Sequence, residues 1–135
     1  MSHSYVHAES SAKIFGGTPE DYIQIHAWFD ATKAFCPDWR HRALRHHAEG
    51  IQESIKIFGQ NITNSGGKEV SVLDIGIQHQ VEDFGFVPTA NDWFECFDEE
   101  SWKELKKRKI EERMKLPKII NEKKPSSLLH VLKSL

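Results

Sequence analysis

Residues 38–59 read DWRHRALRHHAEGIQESIKIFG, and how this run coils decides what lies inside the molecule. Pro37 ends whatever precedes it, Asp38 is a helix-capping residue and Gly59 suits the end of a last turn. The pattern therefore predicts one helix over residues 39–58. At 100° per residue Leu44, Ala48, Ile51, Ile55 and Phe58 form its buried stripe, flanked by His41 and His47, while Arg42, His46 and Glu49 face away. On this reading His41 and His47 belong to an interior site. Arg42, Arg45 and His46 form an outer face suited to an anionic ligand, a partner or water.

Upstream, residues 3–15 read as a helix closed by Gly16 and Gly17, with His3 and His7 stacked one turn apart. Such a pair either chelates a cation or lines a polar surface strip. Thr18 as cap, Pro19 at the first helical position and Glu20–Asp21 in the first turn start a second helix to about residue 35. Its inner stripe is Tyr22, Ile25 and Phe29 with His26 between them, a ligand or a hydrogen-bonded core histidine.

Downstream, residues 60–72 (QNITNSGGKEVSV) read as a β-hairpin turning at 64–67, followed by a helix over about 71–84. In that helix Leu73, Ile77 and Phe84 define one apolar side. His79 and Asp83 share a different face one turn apart, an imidazole and carboxylate pair suited to zinc, manganese or iron. Pro88 and Thr89 introduce a short helix through Trp93, Phe94 and Phe97. The expected fold is mainly α, a compact bundle of about four helices with an inserted β-hairpin over 1–97. Residues 98–135 follow as a charged helical C-terminal extension.

Charge divides the same way. Residues 1–97 hold 7 Lys/Arg against 13 Asp/Glu, net −6, and residues 98–135 hold 11 against 7, net +4. A −6 body disfavours general nucleic-acid binding. Cys36 and Cys96 are too far apart for a C-x-x-C zinc motif and offer no disulfide framework. Apolar runs are too short to span a bilayer, and His3, His7 and Glu9 interrupt any signal-peptide core, which points to the cytoplasm. No phosphate loop, G-x-G-x-x-G, G-x-S-x-G or H-E-x-x-H is present, so no nucleotide cofactor is expected.

The runs FGGTPEDYIQIHAWFDATKAF, DWRHRALRHHAEGI, ITNSGGKEVSV and IGIQHQVEDFGFVPTANDW resemble a small family of phage and bacterial proteins of unknown function, over about residues 3–95. Gly66 and Ile77 stand where the family pattern carries an aspartate and a glutamate. The resemblance implies a phage or mobile-element setting, hence a host cytoplasm, and names no reaction.

Two functions compete. One is a metal-dependent hydrolase of a phosphate-containing substrate in the style of helical His/Asp phosphohydrolases. A divalent Zn, Mn or Fe ion would be drawn from His3, His7, His26, His41, His47, His79 and Asp83. Arg42, Arg45 and His46 would hold substrate, and Glu49 or Glu82 would act as general base. The contiguous His-Asp dipeptide of that class is missing. The other is a non-enzymatic inhibitor or accessory factor whose histidines form a structural network. Its charged extension would contact a protein partner or a second copy.

Overall fold

The computed structural model describes residues 3–115. The chain divides into two units, Met1–Glu95 and Cys96–Leu135. In the first, α1 (Ser4–Phe15), α2 (Ile23–Asp30), α3 (Ala48–Phe58) and α4 (Val72–Phe84) pack together, with α4 touching the other three. Short 3-10 turns at Pro19–Asp21, Ala31–Ala34 and Trp39–Leu44 connect them, and α5 (Ala90–Phe94) closes the unit. A hairpin of β1 (Asn61–Thr63) and β2 (Glu69–Ser71) pairs Ile62 with Val70 antiparallel between α3 and α4. The mainly α fold with an inserted hairpin is thus as the periodicity indicated. In the second unit α6 (Glu99–Met114) has no buried residue, as its interleaved charges predict. The final segment read from sequence, 118–135, lies outside the described residues.

The run over residues 38–59 is not one helix. A 3-10 turn covers Trp39–Leu44, the chain then extends, and His47 caps α3 through Nδ1, which accepts the Gly50 amide at 2.9 Å. This break resets the phase of everything before it. Leu44, expected inside, is 54 % exposed, and His46, expected outside, is fully buried. Gly50 makes the break possible, because a Cβ there would lie 1.8 Å from the Arg45 carbonyl oxygen. Gly50→Ala is expected to destabilise the fold by about 3 kcal/mol, the upper end for overpacking, read as a lower urea midpoint. A midpoint within error of wild type would show that the reversal at Arg45 is not rigid.

The helix expected over 18–35 is likewise interrupted, α2 proper being eight residues long. Its start is tied down by the hairpin: Asp21 accepts the Thr18 amide at 2.8 Å and the Ser65 amide at 3.0 Å. Asn64 donates to the Phe15 carbonyl and the Tyr22 hydroxyl. The hairpin therefore locks the α1–α2 junction, which a two-stranded ribbon needs in order to persist.

On α4 the Leu73 and Ile77 side faces outward, while Val72, Ile75, Gly76 and His79 are buried. Gly76 permits this approach: a Cβ there would meet Ile51 at 3.0 Å and Phe29 at 3.3 Å. The buried apolar core is small: Ala8, Tyr22, Ile25, Phe29, Ile51, Val70, Val72 and Ile75. Six of the seven described histidines are buried with it. Buried imidazoles need partners, and those partners define the site.

Candidate metal centre

Four side chains aim one atom each at a common point. Asp30 ends α2, His46 follows the 3-10 turn, and His79 and Asp83 lie one turn apart on α4. His46 Nε2 is 3.0 Å from His79 Nε2, 3.4 Å from Asp30 Oδ1 and 3.3 Å from Asp83 Oδ2. His79 Nε2 is 3.5 Å from Asp30 Oδ1 and 3.4 Å from Asp83 Oδ2. A tetrahedron with zinc bonds of about 2.0–2.1 Å has edges of about 3.3–3.4 Å, so these spacings are those of atoms around one small cation. Both histidines are fully buried, and the Asp30 and Asp83 side chains are 10 % and 4 % exposed.

The surroundings hold each ligand in place. Ser4 Oγ donates to Asp30 Oδ2 at 3.0 Å. His7 on α1 has Nδ1 2.8 Å from Glu82 Oε1, and Nε2 3.2 Å from Asp83 Oδ1 as an ion-pair contact without hydrogen-bond alignment. Burial lowers the His7 pKa, but the Asp83 and Glu82 contacts outweigh it and leave it raised. Burial likewise opposes ionisation of Asp30 and Asp83. The close imidazole contacts of His46 and His79 for Asp30, and of His46 and His7 for Asp83, prevail and keep both carboxylates well below their usual range. Burial, then the neighbouring charges of His79 and His7, push His26 down to about 2. Burial chiefly lowers His79 as well. Two carboxylates and, at His79, neutral imidazole are the protonation states a divalent ion requires.

Comparison with known proteins places the chain. A family model matches residues 2–103, most of the chain. The chain belongs to DUF6915, a domain family of unknown function. No curated protein and no solved structure matches it. All four converging side chains of this DUF6915 member lie inside the matched segment.

Of the residues singled out from the sequence, His79 and Asp83 are in the converging set, and so is His46, expected from the sequence on the outer, substrate-holding face. His7 and His26 stand directly behind it, His26 Nδ1 lying 2.9 Å from His79 Nδ1. His41 is buried beside Thr32, with Nδ1 2.8 Å from Oγ1. His47 is committed to capping α3. His3 is exposed at the start of α1. Arg45 is occupied elsewhere, donating to the Trp28 carbonyl at 2.6 Å and lying 4.2 Å over the Trp28 ring. Arg42 points at the centre instead, its Nε 3.8 Å from Asp83 Oδ2. Glu49 is exposed and accepts the Ala90 amide, whereas Glu82 is bound to His7, Ser10 and Gln78.

Asp30 was missed, although H-x-x-x-D occurs twice, as His26-Ala-Trp-Phe-Asp30 and His79-Gln-Val-Glu-Asp83. The repeated spacing was the available signal.

Proposed function

We propose that this chain is a divalent-metal protein of hydrolase type, with one ion held by Asp30, His46, His79 and Asp83 and a phosphate-containing substrate presented to it. The convergence of two imidazole nitrogens and two carboxylate oxygens, at 3.0–3.5 Å across the five spacings given above, carries the reading. Two carboxylates balance a divalent charge, so the buried centre is neutral when loaded. A mixed nitrogen and oxygen set suits zinc, manganese or iron. Such an ion supplies a bound water whose pKa approaches neutrality.

Arg42 supports the phosphate part. Its side chain is 19 % exposed, and its Nε is buried without a hydrogen-bond partner beside Asp83. A guanidinium so placed can meet an anion at the metal.

Burial of all four ligands and their short spacings favour a second reading, a closed structural ion with no open position. Protein purified without a histidine tag is expected to carry one transition-metal ion per chain by elemental analysis. The loaded protein is expected to cleave a chromogenic phosphodiester, and Arg42→Ala to slow cleavage about 10–100-fold, from ~1.5–3 kcal/mol of charge-assisted contact. Metal without turnover would leave the structural ion. Absence of stoichiometric metal would overturn the proposal and leave an interaction protein of a phage or mobile element, acting in the host cytoplasm, whose histidines only pack.

A further inference from the structure

Two histidines outside the four-atom centre stand behind the two inside it. His26 Nδ1 is 2.9 Å from His79 Nδ1, and its Nε2 is 2.7 Å from Ser11 Oγ. His41 Nδ1 is 2.8 Å from Thr32 Oγ1, and its ring meets His46 edge-on, centroids 5.3 Å apart at 88°. All six side chains are buried.

The hydroxyl protons determine the tautomers. Ser11 Oγ faces the His7 carbonyl at 3.1 Å and Gln78 Oε1 at 2.5 Å, both acceptors. The Gln78 amide is oriented by its nitrogen, which donates to the His7 carbonyl and to Glu82 at 3.0 Å each. The one serine proton goes to an acceptor, so Ser11 must accept from His26 Nε2–H. His26 Nδ1 then carries a lone pair and accepts His79 Nδ1–H, which leaves the lone pair of His79 on Nε2, the atom at the centre.

Thr32 repeats the pattern. Its Oγ1 faces the carbonyls of Phe29 at 3.4 Å and His41 at 3.2 Å, so it accepts from His41 Nδ1–H. His41 Nε2 is left as a buried lone pair without a partner, and His46 Nδ1 is buried without one too. When His46 Nε2 faces a cation, its Nδ1 carries the hydrogen. The two orphans are therefore an acceptor and a donor on neighbouring rings. A ring rotation or one bridging water would join them.

We propose that His26 and His41 are positioning residues of the metal centre. Each is oriented by a hydroxyl, Ser11 or Thr32, and takes the Nδ1 hydrogen of one metal-binding histidine, so that this histidine presents its Nε2 lone pair to the ion. Partners behind a ligand fix its tautomer and raise its basicity, and their loss costs about 10–100-fold in metal affinity. The proposal rests on the metal reading above.

Zinc affinity, measured by competition with a chromophoric chelator, tests it in wild type, His26→Leu, His41→Leu, His26→Gln and His41→Gln. Each leucine variant is expected to bind zinc about 10–100-fold more weakly. Each glutamine variant, which keeps an acceptor, is expected to recover most of that loss. Folded leucine variants with wild-type affinity would overturn the relay, whereas a wild type that binds no zinc would overturn the metal reading beneath it. Should a leucine variant fail to fold, imidazole 15N spectra of the zinc-loaded wild type decide. His26 protonated on Nε2 and His41 on Nδ1 support the relay, and either opposite tautomer overturns it.

Discussion

Chelation of the bound ion is expected to lower the melting temperature of the protein by about 15–30 °C. An ion at about a thousand times its dissociation constant stabilises the folded state by ~4 kcal/mol, and each kcal/mol moves the midpoint of a domain this size by about 4–8 °C. The geometry supplies the reason. Without a cation, His46 Nε2 and His79 Nε2 face each other at 3.0 Å, with two buried carboxylates beside them. Each group has given up water, and a single shared proton satisfies only part of the set. Circular dichroism melts of zinc-loaded protein, with EDTA and after zinc is restored, measure the effect. Melting that ignores both additions would sink the metal centre and leave a packing network.

The helices were legible because their stripes and ends are local properties. Thr18, Asp38, Gly59 and Ser71 mark boundaries through their own backbone chemistry, and Ile51, Ile55 and Phe58 fall on one side of any helix containing them. The hairpin was legible from its Asn-Ser-Gly-Gly turn. The orientation of His46 was not, because it depends on a break at residues 45–47 that no proline or capping signature announces. That break is held by long-range contacts: the Ala48 amide donates to the Pro88 carbonyl at 2.8 Å, and the Trp93 indole donates to the His46 carbonyl at 2.9 Å. A wheel drawn through 39–58 carries its phase across the interruption and puts His46 and Leu44 on the wrong sides. His79 and Asp83 escaped this error because α4 is continuous across them. Asp30 fell out for another reason: within the helix expected over 18–35 it lies outside the Tyr22, Ile25 and Phe29 stripe, and the group that meets it, His46, comes from a distant segment.

Replacing His46 is expected to move two measurements in opposite directions. His46 packs edge-to-face against Phe29 and Phe84, both with ring centroids 5.9 Å away, so its surroundings already suit an apolar group. In the metal-free protein its Nδ1 is a buried atom without a partner, and its Nε2 crowds His79. His46→Leu removes both defects at the cost of its contacts with Asp30 and Asp83, and the net expectation is a metal-free fold more stable by about 1 kcal/mol, since an unsatisfied buried polar group costs ~1–3 kcal/mol. The same change deletes one of four ligands. Zinc binding by closed protein sites is worth ~10–16 kcal/mol, so losing one donor costs roughly 3 kcal/mol and lowers affinity on the order of a hundredfold or more. A packing histidine would behave otherwise: its removal would destabilise the protein whether or not zinc is present. Urea midpoints of the metal-free protein and zinc affinities of the same two samples separate these cases. A metal-free His46→Leu protein less stable than wild type would show that this imidazole was placed for packing, against the assignment of His46 as a ligand.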